Sequence, residues 1–168
     1  MRITAADLRR LEATMTRAFA TGDVSGLEVL GYGEITTVVV CESGGRRHAC
    51  KRLPPFATAE DADRYAALFA EYLDTLSQLG VRLVPSSLHR LDRDDGTVVV
   101  YCVQPVLPAD QLAVRVLERS DDTQALALFE TILDRIVTAV SPRVGLDGQL
   151  SNWMVADDDV LFLDVQMP

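Results

Sequence analysis

The sequence has little basic charge. Of its 168 residues, 16 are Lys or Arg and 25 are Asp or Glu, which gives a formal net charge of -9. Proteins that bind nucleic acid neutralise phosphates with clustered Lys and Arg, and the basic residues here form nothing longer than pairs such as Arg46-Arg47 and Lys51-Arg52. We therefore expect no nucleic-acid partner.

Metal-binding and redox residues are also scarce. The cysteines are Cys41, Cys50 and Cys102, without a C-x-x-C pair, and the histidines are His48 and His89. This pattern does not favour a zinc site. Each cysteine falls in an apolar, strand-like run, so we expect the three thiols to be small buried hydrophobes.

Long hydrophobic runs are absent as well. No stretch approaches eighteen consecutive apolar residues, and the first nineteen residues lack a continuous apolar segment. We expect a soluble, cytoplasmic protein with no membrane partner. Apolar residues still make up 48% of the chain, enough for the core of one ordinary domain.

Hydrophobic periodicity predicts the elements of the first two thirds of the chain. Thr4 and Asp7 form a helix-capping pair before apolar residues at helical spacing, which predicts an amphipathic helix ending at Gly22. Residues 27–53 have the texture of three short strands, with Gly44-Gly45 as a turn. A helix between residues 58 and 80 and two strands, at residues 83–91 and 97–107, complete this part.

The last third predicts a long helix and two short strands. Ser120 is the expected cap of the helix, and Pro142 ends it. Its apolar residues are Leu126, Phe129, Leu133, Ile136, Val137 and Val140. Residues 144–168 then indicate a loop, a strand, an acidic turn and a final strand.

A glycine-rich turn lies between the first two predicted strands. Gly31 and Gly33 begin the run G-Y-G-E-I-T-T-V, in which backbone amides could approach phosphates without interference from side chains. A plain hairpin that needs two glycines explains the same residues. The turn does not open a helix, and the chain contains no G-x-x-x-x-G-K-[ST] motif.

Lys51 and Glu71 form a second pair of candidates. The period of two in a strand places Ala49 and Lys51 on one face and Cys50 on the other. A small residue there leaves room for a flat base, and the lysine can reach its phosphates. Glu71 lies twenty residues later in the next predicted helix. An exposed lysine at the end of a strand and a solvated helix glutamate are the alternatives.

The end of the chain carries three further candidates. Asp147 and Asn152 form a D-x-x-x-x-N motif, and Asp164 follows twelve residues later at the end of an apolar strand. Together with the residues above, they resemble the protein-kinase-like superfamily, which includes protein kinases and the aminoglycoside and choline phosphotransferases. The resemblance covers residues 27–164.

The resemblance implies an α+β, protein-kinase-like fold. Residues 25–107 would form an N-lobe, a five-stranded antiparallel sheet with one αC-like helix. Residues 1–24 would form a preceding amphipathic helix. Residues 108–168 would form an abbreviated helical C-lobe with the catalytic-loop-like and magnesium-binding segments.

The resemblance also implies a role for each candidate residue, with ATP and Mg²⁺ as cofactors. The backbone of Gly31 and Gly33 would cover the phosphates, Lys51 would contact them, and Glu71 would orient Lys51. Asn152 and Asp164 would bind magnesium. Asp147 would accept or orient the proton of the acceptor hydroxyl. The adenine slot would be lined by Val38, Ala49 and residues 99–103, with the backbone from Gln104 to residue 106 as the hinge.

Several positions depart from the family pattern. Thr36 replaces the third glycine of the loop, and Gly145 and Leu146 precede Asp147 where His-Arg or His-Gly is usual. Val165-Gln166 replaces Phe-Gly after Asp164, and Gln149 stands where relatives often carry Lys or His. These departures favour either a diverged kinase or an inactive one.

Three interpretations follow. The first is an ATP- and magnesium-binding phosphotransferase that acts on a small molecule, which the sequence does not name. The second is a catalytically inactive, pseudokinase-type module that binds nucleotide or another protein. The third is an unrelated α+β domain with solvated acidic residues.

The chain stops four residues after Asp164, where family members continue into further helices. Those helices would normally cover the apolar faces of the helix at residues 126–140 and the strand at residues 160–165. We therefore expect self-association, a partner protein that covers the missing lobe, or a longer natural protein. The N-terminal helix could cover part of the gap.

Overall fold

The computed structural model describes residues 3–32, 37–156 and 159–165. It divides into two units, of which the first comprises Met1–Ala66 and Pro85–Val106 and the second comprises Ala67–Val84 and Leu107–Pro168. The fold is α+β, as predicted. Every helix in the described ranges is too short or too polar to span a lipid bilayer.

The first unit contains a five-stranded antiparallel sheet, which confirms the predicted sheet. Its strands in chain order are β1 (Val29–Tyr32), β2 (Thr37–Ser43), β3 (Arg46–Arg52), β4 (Ser87–Asp92) and β5 (Val98–Pro105). Their order in the sheet is β1-β2-β3-β5-β4. Gly44 and Gly45 both adopt a positive φ, of 59° and 72°, so the β2–β3 turn is the tight turn that the glycine pair predicts.

Helix α1 (Ala5–Thr21) packs on one face of this sheet. The Thr4 side chain accepts a hydrogen bond from the backbone N–H of Asp7 at 3.1 Å, which confirms the predicted cap. Gly22 ends the helix in the left-handed conformation. The helix and the sheet share one hydrophobic cluster, whose buried members are Ile3, Leu8, Leu11, Met15, Val39, Cys41, Cys50, Leu91, Val99, Tyr101 and Val103.

Helix α2 (Ala59–Gln78) begins in the first unit and ends in the second. Thr58 caps it by accepting from the backbone N–H of Asp61 at 3.1 Å, and Gly80 follows it with a φ of 81°. Both boundaries agree with the sequence pattern. In the first unit, Ala62 of α2 packs with Leu53, Val98 and Val100.

The strand predicted at residues 83–91 is shorter than expected, because β4 starts at Ser87. Pro85 has no N–H to donate to a sheet, and the residues before it pair elsewhere. In the second unit, Leu83 forms a parallel bridge with Phe162, and the Val84 N–H donates to the Phe162 carbonyl at 3.0 Å.

The second unit holds the C-terminal part of α2, α3 (Ala113–Leu117), α4 (Asp122–Ala139) and the hairpin β6–β7 (Trp153–Ala156 and Asp159–Phe162). The expected cap at Ser120 is wrong by one residue. Asp121 accepts from the Gln124 N–H at 2.9 Å, and the Gln124 side chain accepts from the Asp121 N–H at 3.3 Å, forming a capping box. Ser120 instead donates to the Val116 carbonyl at 2.7 Å.

Helix α4 is apolar on more than one side. Its buried residues are Ile132 and Ala139. The predicted apolar residues that are exposed are Leu126, Phe129, Leu133, Val137 and Val140, and Val137 is exposed to 68%. The expectation that the last strand is also uncovered is wrong, since Val160, Phe162 and Val165 are buried.

Candidate functional site

The candidate residues of the first unit share one face of the sheet. Lys51 in β3 lies directly opposite Val38 in β2 and Cys102 in β5. Two residues away along β3, Ala49 lies opposite Val40 and Gln104. Side chains that are directly opposite each other in a sheet project from the same face, and so do residues two apart in one strand.

The other face of the sheet is the one that α1 covers. Cys50 lies directly opposite Val39 on one side and Val103 on the other, and all three are buried in the core formed with α1. Lys51 and Ala49 therefore project away from α1, as the alternation in the sequence predicted. Both residues are half-buried, as are Val38 and Gln104.

The same alternation corrects the predicted lining of the adenine slot. Val99, Tyr101 and Val103 are buried in the core under α1, so they cannot line a slot on the opposite face. Of residues 99–103, only Val100 and Cys102 project to the face that carries Lys51. At the predicted hinge, Gln104 Nε2 donates to Ser86 Oγ at 2.9 Å.

The glycine-rich turn is described only at its start. Gly31 pairs with Val38 and lacks a left-handed φ, and a Cβ added to it would have no atom of the described residues within 4 Å. Within the described part of the chain, neither its backbone conformation nor its packing requires a glycine. Gly33 and Thr36 lie outside the described residues.

In the second unit, the loop before β6 holds Asp147. Asp147 is exposed, and its Oδ1 accepts from the Gln149 N–H at 3.1 Å. The Asn152 Nδ2 donates to the Asp147 carbonyl at 3.4 Å. A Cβ added to Gly148 would lie 2.9 Å from Ile136 Cδ1, so the glycine allows the loop to approach α4 closely.

The hairpin brings Asn152 and Asp164 together. Trp153 in β6 pairs with Phe162 in β7, and their buried rings lie 5.1 Å apart. The Leu163 N–H donates to the Asn152 carbonyl at 2.8 Å, which extends the ladder by one pair beyond the strands. Asp164 is the next residue, so both half-buried candidates lie at the open end of one hairpin.

Tyr72 completes this group, and sequence reasoning did not find it. Its hydroxyl donates to the Gly145 carbonyl at 2.9 Å. Burial raises the pKa of Tyr72, and the negative charges of Asp164 and Asp147 raise this pKa further. The available signal was helical spacing, since Tyr72 follows the buried Phe69 by three residues and precedes the buried Leu76 by four.

Glu71 lies beside Tyr72 on α2 and is exposed. Its carbonyl accepts from the Thr75 hydroxyl at 2.7 Å, an ordinary bond within a helix. Its role as the partner that orients Lys51 stays a prediction.

The side-chain atoms of Asn152 and Asp164 that could bind a metal ion are oxygen atoms. Within the described part of the chain, no three His, Cys, Asp or Glu side chains are grouped so that they could hold a metal ion. The pair at the hairpin differs in composition, because it combines the carboxylate of Asp164 with the amide of Asn152. Carboxylate and amide oxygens suit Mg²⁺, which usually takes only one or two carboxylates from the protein and completes its shell with water and phosphate oxygens.

Comparison with known proteins places nearly the whole chain in one family. Residues 10–168 match DUF6206, a family of unknown function. No curated protein matches the chain. The family description names no activity, so the chemistry of the residues themselves has to indicate the function.

Proposed function

We propose that this chain, which belongs to the DUF6206 family of unknown function, is a protein-kinase-like phosphotransferase that binds ATP with magnesium. The observation that carries the proposal is the grouping of Asn152 and Asp164 at the open end of one hairpin, with Asp147 hydrogen-bonded to Asn152. The acceptor in this proposal is a small molecule with a hydroxyl group.

Asn152 and Asp164 would hold the magnesium ion. Their oxygens match the preference of Mg²⁺, and half-burial limits competition from solvent. When bound, the ion would neutralise charge on the phosphate oxygens during transfer.

Asp147 would act on the acceptor. Its Oδ1 is oriented by the Gln149 N–H, and the side chain is exposed where a substrate can reach it. In the proposed reaction, the acceptor oxygen forms a bond to the γ-phosphorus, the bond from that phosphorus to the bridging oxygen breaks, and ADP leaves. The hydroxyl proton passes to Asp147.

The sheet face with Lys51 would bind the rest of the nucleotide. Ala49 and Gly31 leave room near Val38, and Lys51 supplies a cation for phosphate oxygens. In this proposal Glu71 orients Lys51, the backbone of Gly31 and Gly33 covers the phosphates, and the Gln104 backbone meets the base.

A catalytically inactive nucleotide-binding module is the second candidate. It is favoured by Gln149, which puts an uncharged side chain where related enzymes often carry a cation near the transferred phosphoryl group. Gly145-Leu146, in place of the usual residues before Asp147, favours it too.

Two variants separate these candidates. We expect Asp147→Asn to leave the Kd for Mg-ATP within about threefold and to lower the rate of ATP turnover by about 10²-fold or more, because Asp147 would move a proton and would not bind phosphate. Asp164→Asn should weaken Mg-dependent binding itself. Titration calorimetry and phosphate release measure the two quantities.

The outcomes distinguish the two functions. Turnover in Asp147→Asn equal to that of the parent chain would rule out the assigned role of Asp147. Mg-dependent binding without turnover in the parent chain would select the inactive module.

A further inference from the structure

The Tyr72 hydroxyl joins α2 to the loop that carries Asp147. It donates to the carbonyl of Gly145, two residues before Asp147 and 73 residues away from Tyr72 in the chain. Both partners belong to the second unit. A helix side chain that bonds a loop carbonyl restrains the path of that loop.

Three hydrogen bonds connect the loop that follows Gly145 to the end of the hairpin at Asp164. The Asp147 carboxylate accepts from the Gln149 N–H, and the Asp147 carbonyl accepts from the Asn152 side chain. The Asn152 carbonyl then accepts from the N–H of Leu163, the residue before Asp164. The hydrogen bond from Tyr72 therefore attaches α2 to the segment that carries Asp147, Asn152 and Asp164.

The environment of Tyr72 favours a protonated hydroxyl. The side chain is half-buried, and burial raises its pKa; the carboxylates of Asp164 and Asp147 raise it further. The phenol thus keeps its proton at neutral pH and remains a donor. The hydroxyl donates to a main-chain carbonyl, that of Gly145, which suits a residue that positions other groups.

We propose that Tyr72 is a positioning residue, whose hydroxyl holds the loop at Gly145 so that Asp147 keeps its place in the loop and Asn152 stays beside Asp164 for binding of the Mg-nucleotide. This inference rests on the proposed function and adds to it a residue outside the family motifs. Tyr72 acts through the loop and not on the nucleotide.

Tyr72→Phe tests the inference, because it keeps the ring and removes only the hydroxyl. Ser77→Ala is a matched control, since the Ser77 hydroxyl also donates to a main-chain carbonyl, that of Leu73 at 2.8 Å, within α2. The probes are ATP with Mg²⁺ and ATP with EDTA, titrated calorimetrically. A tenfold weakening corresponds to the loss of about one good hydrogen bond.

We expect Tyr72→Phe to raise the Kd for ATP with Mg²⁺ about tenfold and the Kd for ATP with EDTA less than twofold. Ser77→Ala should change neither value. Amide hydrogen exchange gives a readout without nucleotide, in which the Gln149 N–H should exchange faster in Tyr72→Phe than in the parent chain. If the Tyr72 hydroxyl only stabilised the fold, Tyr72→Phe would lower thermal stability and would change the Kd values with Mg²⁺ and with EDTA by the same factor.

The results separate this inference from the function on which it rests. If the parent chain binds ATP no better with Mg²⁺ than with EDTA, the proposed function and the role of Tyr72 are both wrong. If the parent shows the Mg²⁺ effect and Tyr72→Phe retains it in full, only the role of Tyr72 is wrong. Unchanged exchange at Gln149 would also overturn it.

Discussion

Glu12 of α1 is the most heavily bonded carboxylate in the described part of the first unit. It accepts from Arg52 Nε at 2.9 Å, Arg52 Nη2 at 3.0 Å and the Tyr101 hydroxyl at 2.6 Å, and it also pairs with Arg93. Burial opposes ionisation of Glu12, but the hydrogen bonds from Arg52, Tyr101 and Arg93 outweigh it and lower the pKa of Glu12 to about 2. Glu12 thus connects α1 to Arg52 in β3, to Tyr101 in β5 and to Arg93, which follows β4.

Replacing Glu12 should therefore destabilise the fold. We expect Glu12→Gln to lower the free energy of unfolding by about 3 kcal/mol at pH 7, because it leaves two arginines in a partly buried site without their anion. The control is Glu60→Gln, since Glu60 is exposed to 85% and pairs only loosely with Arg64, at 3.5 Å. Its effect should stay within about 0.5 kcal/mol. Urea unfolding measures both.

The effect of Glu12 should also depend on pH. Its folded pKa of about 2 lies below the ordinary value of 4.5, so its contribution is present above pH 4.5 and is lost as the pH falls towards 2. The difference between parent and Glu12→Gln should accordingly shrink over that range. A difference that stays constant between pH 6 and pH 3 would contradict this assignment.

The sequence predicted the face on which a side chain lies only where the regular period of a strand or helix could be used. The period of two put Lys51 and Ala49 on one face, and the register confirms it. The same rule applied to residues 99–103 would have removed Val99, Tyr101 and Val103 from the adenine slot. Helical spacing can place Tyr72 near the buried side of α2, but it cannot reveal the bond to Gly145, which lies 73 residues away.

At the scale of elements, α4 combines two apolar sides. Ile132 and Ala139 face the interior of the protein, whereas Leu133 and Val137 are exposed. Apolar periodicity in the sequence marks both sides equally and could not show which is buried. The cap of α4 was also ambiguous, because Ser120 and Asp121 are both residue types that cap helices well. Gln124 selects Asp121, since it stands at the third helical position and completes the capping box.

The exposed side of α4 should act as an interface. We expect the chain to self-associate, because a row of four exposed apolar side chains on one helix, continued by Val140 at its C-cap, is unusual for a free surface. Leu133→Lys and Val137→Lys should reduce association, and Thr138→Lys, at an exposed polar position, should not. Light scattering measures the mass of each. A monomeric parent at high concentration, without dye-accessible apolar surface, would refute this expectation.

At the scale of the whole molecule, the sequence predicted the element order and the antiparallel sheet, because both depend on local periodicity and turn chemistry. The grouping of Asn152 with Asp164 was predicted only through the family resemblance. Its physical basis is the β6–β7 register, in which buried Trp153 and Phe162 pair directly. The pairing of Leu83 with Phe162 is nonlocal and was not foreseen.

The most direct measurement of the central claim is the melting temperature of the whole chain with ATP and Mg²⁺. A ligand at a hundredfold excess over its Kd stabilises the folded state by about 2.7 kcal/mol, which raises the Tm of a chain of this size by roughly 5 to 10 °C. We predict this rise in the parent, its loss with EDTA, and its absence in Lys51→Ala and Asp164→Ala. No rise at millimolar ATP with Mg²⁺, or the same rise in both variants, would contradict the claim that these residues bind a Mg-nucleotide.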